Sequence, residues 1–157
     1  MDDYICCLFR KDDPEEAYKT RDFELVKNYG SYAIDLGNSD DVTKRVTVFG
    51  QGRREEYKAP LYEFDAGDRV LCRCKKCRGL ILIHYDEFHD IYRRDIEWDR
   101  YVPVQSISEA DQLCEIHSKY LGLHRLDDLD RPQLEYSWSE TKPYEVFKWI
   151  NRSEETE

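Results

Sequence analysis

A chain of 157 residues, 40% hydrophobic and 37% charged, has the apolar material for one core and little to spare for a second. Its 34 acidic residues against 24 basic ones, a net charge of −10, argue against general affinity for nucleic acid or anionic lipid. The same charge fits either plain solubility or a basic partner, and 12 tyrosines and 3 tryptophans set in periodic runs exclude disorder.

Taken in chain order, Tyr4-Ile5-Cys6-Cys7-Leu8-Phe9 is a short apolar run and predicts a buried strand. Asp13-Pro14-Glu15-Glu16 opens a helix, and Ala17, Phe23, Val26 and Tyr29 with Gly30 as a stop predict that it ends near Tyr29, its second half being the better supported. The period then switches to two. Strands are expected at Tyr32–Leu36, Arg45–Phe49, Tyr57–Phe64, Arg69–Arg73 and Leu80–Tyr85, punctuated by Gly37-Asn38, Gly50-Gln51-Gly52 and Asp65-Ala66-Gly67-Asp68, with Pro60 marking an edge or a bulge. Ser106-Ile107-Ser108-Glu109 is a capping box, and Ile107, Ala110, Leu113, Cys114, His117, Tyr120 and Leu121 make one face of a helix that closes at Gly122. Two more strands follow at Leu134–Trp138 and Val146–Ile150. The expected fold is α+β, a single domain over residues 1–152 with an antiparallel meander of six to eight strands and one or two packed helices, then an acidic tail at 153–157.

No run reaches the about 18 apolar residues of a membrane span, and Met1-Asp2-Asp3-Tyr4 lacks the basic and apolar parts of a secretion signal, so a cytoplasmic location is expected. There the six cysteines serve as thiols or metal ligands rather than disulfides. Cys74-Lys75-Lys76-Cys77, between two strand-like runs, is written as a metal knuckle. A tetrathiolate needs two further ligands, and Cys72, His84, the Cys6-Cys7 pair, Cys114 and His117 are the candidates. Cys114 with His117, at i and i+3 on one helix face, is the most suggestive pair, giving Cys74, Cys77, Cys114 and His117 as the expected set. No motif demands a cofactor, and any zinc here is structural. The competing reading makes Cys114 a small buried hydrophobe and the knuckle a tight turn.

His84-Tyr85-Asp86-Glu87-Phe88-His89 has the wrong spacing for a His-Glu-x-x-His metal hydrolase, and neither a nucleophile elbow nor a phosphate loop occurs, so no enzyme is expected. Acids and aromatics instead alternate through Asp86, Glu87, Asp90, Tyr92, Asp95, Glu97, Trp98 and Asp99, and again around Asp127, Asp128 and Asp130 beside Glu135, Tyr136 and Trp138. Charge steers encounter and rings bury area with few torsions to freeze, so these segments are the expected contacts to a basic protein. Around the knuckle Arg69, Arg73, Lys75, Lys76 and Arg78 outweigh Asp68, which gives the alternative: a zinc-knuckle accessory or regulatory domain whose basic hairpin contacts nucleic acid.

Tyr62-Glu63-Phe64, the segment from Cys74 to Ile83 with Asp86-Glu87-Phe88-His89, and Tyr101–Val104 leading into Ser106–Asp111 together resemble bacterial immunity proteins encoded beside polymorphic or contact-dependent toxins, over residues 57 to 121. The resemblance implies a non-catalytic cytoplasmic inhibitor that binds a cognate, basic, nuclease-like toxin domain and needs no membrane, nucleic acid or small molecule. It carries no metal site, since Gly79 stands one place later than Gly directly after the second cysteine would.

Overall fold

The computed structural model of the chain describes residues 5–35, 43–50, 53–60, 66–89, 95–116, 126 and 129–152. A 3₁₀ turn at Cys7–Arg10 is followed by α1 (Pro14–Lys19), then β1 (Phe23–Asp35), β2 (Thr43–Gly50), β3 (Arg53–Pro60), β4 (Ala66–Cys74), β5 (Leu80–His89), β6 (Asp95–Val104), α2 (Ile107–Ile116), β7 (Gln133–Ser139) and β8 (Glu145–Ile150). The strands form one eight-stranded antiparallel sheet in the order β3-β2-β1-β4-β5-β6-β7-β8. The α+β class and the antiparallel meander are as expected. The meander runs from β4 to β8, and β1–β3 form a second one, joined where β4 returns beside β1. Pro60 ends β3, an edge strand, where its missing N–H costs no ladder bond.

Alternation along the strands divides the core between the two faces of the sheet. Leu71, Leu82, Val102 and Val104 point to one face and are covered by Ala110 and Cys114 of α2, with Tyr29 and Leu126. Cys74, Ile81, Tyr101 and Leu134 point to the other and are covered by Cys6, Leu8, Phe9 and Ala17 from the N-terminal segment. Each fully buried leucine or isoleucine in these layers contributes on the order of 1.5–3 kcal/mol. On the first face Asp111 of α2 accepts from Lys27 Nζ (2.8 Å) and Tyr29 Oη (2.6 Å), fixing the helix to β1. The capping box forms: Ser106 Oγ accepts from Glu109 N (3.0 Å), while Glu109 Oε1 accepts from Gln105 N (2.9 Å), one residue before the cap.

Three expectations are corrected. Of the strand expected over residues 4–9, the described part, 5–9, is not strand: Cys7–Arg10 is a 3₁₀ turn, because Cys6 and Cys7 are drawn inward to the β4–β5 hairpin and the chain must bend to bury Leu8 and Phe9. The helix predicted to Tyr29 stops at Lys19; Asp13 caps it, accepting from Glu15 N (3.1 Å), and Phe23–Tyr29 is strand. Two β-bulges, at Leu25/Lys27 and Asn28/Gly30, break the period of two, so Val26 and Tyr29 both face α2 and imitate helical spacing. β6, expected only as an acidic surface segment, is a ten-residue strand in the middle of the sheet. Among the described residues no helix is long and apolar enough to cross a membrane.

Candidate functional site

The β4–β5 hairpin closes with Cys74 N donating to the Gly79 carbonyl (2.8 Å) and Arg78 N to the Cys74 carbonyl (2.9 Å), and Arg78 takes a left-handed φ of 66°. This turn presents Cys74 and Cys77 on the N-terminal side of the sheet, where Cys6 and Cys7 meet them. All four sulfurs lie within 4.8 Å of one another, Cys6 to Cys77 at 3.6 Å and Cys7 to Cys74 at 3.8 Å. A tetrahedral tetrathiolate with metal–sulfur bonds of about 2.3 Å has sulfur–sulfur edges of about 3.8 Å. The cluster therefore has the donor type, number and spacing for a metal ion. Backbone amides support it: Cys77 Sγ accepts from Cys7 N (3.3 Å) and Gly79 N (3.4 Å), and Cys6 Sγ from Leu8 N (3.5 Å). Burial pushes the Cys77 thiol up, but those two amides and the Cys6 and Cys7 thiols outweigh it and bring it down to about 7. Burial foremost raises Cys6 and Cys7, so Cys77 ionises before either of them.

Cys114 is not part of this cluster. It lies on the buried side of α2, over the opposite face of the sheet, its thiol raised by burial, and is one of the core residues there; His117 lies outside the described residues. Of the candidates open in the sequence, the adjacent Cys6-Cys7 pair completes the set.

The N-terminal segment covers only part of its face of the sheet. Register aligns Asp68, Tyr85, Asp99, Tyr136 and Phe147 in one row across β4–β8, which the segment reaches only at Tyr18 on Tyr136 and Phe147, and Glu87, Glu97, Trp138 and Glu145 in the next row across β5–β8. Tyrosines hold the carboxylates in place: Tyr85 Oη donates to Glu87 Oε2 (3.0 Å), Tyr136 Oη to Glu145 Oε1 (3.1 Å) and Tyr101 Oη to Asp99 Oδ2 (3.5 Å). Burial raises Asp99 to about 6, offset by Arg21 and reinforced by Asp68 and Glu97; Asp68 is likewise raised, by burial first and then by Asp86 and Glu87. Arg21 is a cation within this field. Its guanidinium lies 3.6 Å above the Tyr18 ring, which stacks on Tyr136 at 4.3 Å and 16°.

The opposite face carries a buried polar row of Arg69, His84, Arg100 and Glu135. Arg69 Nε donates to His84 Nδ1 (3.1 Å), placing the His84 proton on Nε2, 2.9 Å from Asp86 Oδ1. Arg100 pairs with Glu135 (2.5 Å) and Gln133 (2.9 Å).

The sequence-selected acids are thus divided. Glu87, Asp95, Glu97 and Asp99 alternate onto the open face, half-buried. Asp86 is a correction: it is fully buried beside His84, because it falls one residue out of phase, and Trp98 packs on the α2-side core for the same reason. Asp130 is exposed, Glu135 is buried against Arg100, and Asp90, Tyr92, Asp127 and Asp128 lie outside the described residues. Asp68, Tyr85 and Glu145 join the open face without having been singled out; the alternation of β4, β5 and β8 was the available signal. The chain matches no family model, no curated protein and no solved structure.

Proposed function

We propose that this chain is a zinc-held, non-catalytic binding protein that captures and neutralises a basic protein partner on the open half of its sheet, as an immunity protein does its toxin. The supporting observation is the ladder Asp68–Tyr85–Asp99–Tyr136 with Glu87, Glu97 and Glu145 beside it. Carboxylates there are fixed by tyrosines, and burial first, with repulsion from Asp68 and Glu97 adding to it, raises Asp99 to about 6, so an incoming cation relieves part of an existing cost. Arg21 illustrates the recognition mode within the chain: a guanidinium 3.6 Å over a tyrosine ring, close enough to Asp99 to lower it. A partner arginine binds by the same geometry.

Zinc at Cys6, Cys7, Cys74 and Cys77 is structural in this reading, four thiolates leaving no open position for substrate. The alternative of a nucleic-acid-contacting hairpin receives less support. Lys75 pairs with Asp22 (3.8 Å), Lys76 donates to the Thr20 carbonyl (3.0 Å) and Arg78 pairs with Glu24 (2.8 Å), so these basic residues fasten the hairpin to its own neighbours.

The test is capture from the source cell with the tagged chain, together with the product of the adjacent reading frame, and metal analysis of the purified protein. A one-to-one complex with a basic protein, lost in Glu87→Lys/Glu97→Lys/Asp99→Lys and weakened by salt, is expected, with one zinc per chain. Retention of the same partner by the triple variant would reject the face, and absence of metal would reject the zinc.

A further inference from the structure

Between the 3₁₀ turn and the β4–β5 hairpin lies a cleft of about 290 Å³. Arg10, Arg73 and Arg78 stand in its wall, Ile5, Leu80 and Val104 supply apolar lining, and no carboxylate lines it. In a chain with 34 acids to 24 bases this is the reverse of the average surface. Arg78 is held by Glu24, and Arg73 Nη1 donates to the Arg78 carbonyl (3.1 Å), but among the described residues neither Arg10 nor Arg73 forms an ion pair with a carboxylate. Part of this charge has an internal use. Cys7 and Cys77 share the wall, and four thiolates around a divalent ion carry −2; together with Glu24 this offsets the three guanidinium groups in sum, so phosphate contacts rest on Arg10 and Arg73, the two without a carboxylate partner among the described residues.

We propose that this cleft binds a small phosphate monoester. The planar guanidinium fork matches phosphate oxygens bidentately, and half-buried Ile5, beside buried Leu80 and Val104, receives a short apolar body. The volume lies at the lower end of ligand pockets, which selects a compact ester rather than a nucleic-acid strand. The site lies at the cysteine end of the sheet and does not depend on the acidic face.

The experiment titrates phenyl phosphate into the reduced full chain as purified, followed by amide and arginine Nε–Hε resonances. Saturable shifts centred on Gly79, Leu80 and Gln105 are expected, with binding at least about tenfold tighter than inorganic phosphate because the ring is buried. Arg10→Gln and Arg73→Gln should each weaken binding by about tenfold, the loss of one charge-assisted contact. Arg73 is half-buried, so Arg10→Gln, at an exposed position, is the variant whose fold is not in question. The proposal is overturned by shifts that do not saturate, by inorganic phosphate binding as tightly as the ester, or by full affinity in Arg10→Gln. Hexathymidylate binding with the same affinity per phosphate also overturns it, since that is a general basic surface.

Discussion

Gly79 is where the hairpin and the N-terminal segment approach most closely. A Cβ there would stand 3.1 Å from Cys6 Cα and 3.2 Å from Cys77 Sγ, closer than ordinary packing, so the backbone of Cys6 or the thiolate must yield. Gly79→Ala should therefore keep the sheet but loosen the ligand set, weakening zinc by about tenfold or more, the scale of an outer-shell defect. Chelator competition against wild type measures it, and equal affinity would show that the close approach does not position the ligands. His84 makes a different demand. Burial foremost, then Arg69 and Arg100, lower it, with Asp86 opposing. Its folded value lies below the unfolded one, so the unfolded chain takes up a proton that the folded chain refuses. Stability from this group is present above the unfolded value near 6.5 and declines as pH falls below it. His84→Gln should flatten that decline in denaturant midpoints measured from pH 7 to 5; an unchanged slope would place the acid sensitivity elsewhere.

At the scale of elements, the zinc-held reading makes the N-terminal segment depend on its clamp. Residues 5–22 bury Leu8, Phe9 and Ala17, while ordering each backbone residue costs about 1–2 kcal/mol, so this burial alone does not hold eighteen residues on the sheet. Removing the metal, or Cys6→Ser/Cys7→Ser, should release hydrogen-exchange protection in α1 while β4–β7 stay protected. It should also shift Trp149 fluorescence, because Trp149 packs on Phe9 and its Nε1 donates to the Asp12 carbonyl (3.0 Å). Uniform loss of protection would mean the metal holds the whole fold. This dependence also explains what the sequence revealed. The capping box at Ser106–Glu109, the strand at Leu80 and the edge at Pro60 are local signals and were legible. The β1 bulges, the bend at Cys6-Cys7 and the pairing of two adjacent cysteines with a knuckle 67 positions away are imposed by tertiary contact, and no local pattern encodes them.

At the scale of the whole molecule, the described residues place arginines in the cleft beside the cysteines and acids in two rows across β4–β8. The reading of acids beside aromatics was legible in composition, but which of them share a face was not, since one residue of phase separates Glu87 from buried Asp86. The acidic end is costly to the fold. Asp99 is raised from 3.8 to about 6, so the folded chain binds its proton more tightly than the unfolded chain, and stability from this group is greatest below about pH 4 and falls as pH rises to about 6. A shift of that size, discounted because the carboxylate is not fully enclosed, amounts to on the order of 1–2 kcal/mol at pH 7. Asp99→Asn should therefore raise the melting temperature at pH 7 and give no gain at pH 4. Adding salt should stabilise wild type more than Asp68→Asn/Asp99→Asn, because screening relieves the repulsion that adds to burial at both carboxylates. The same substitutions should weaken capture of the basic partner, and that opposition is the decisive point. Residues that only kept the chain soluble would lose nothing in binding when neutralised. Residues retained at a cost to folding because they meet a cation should gain stability and lose binding together. A double variant that is both more stable and equally able to capture the partner would remove the acidic face from the function.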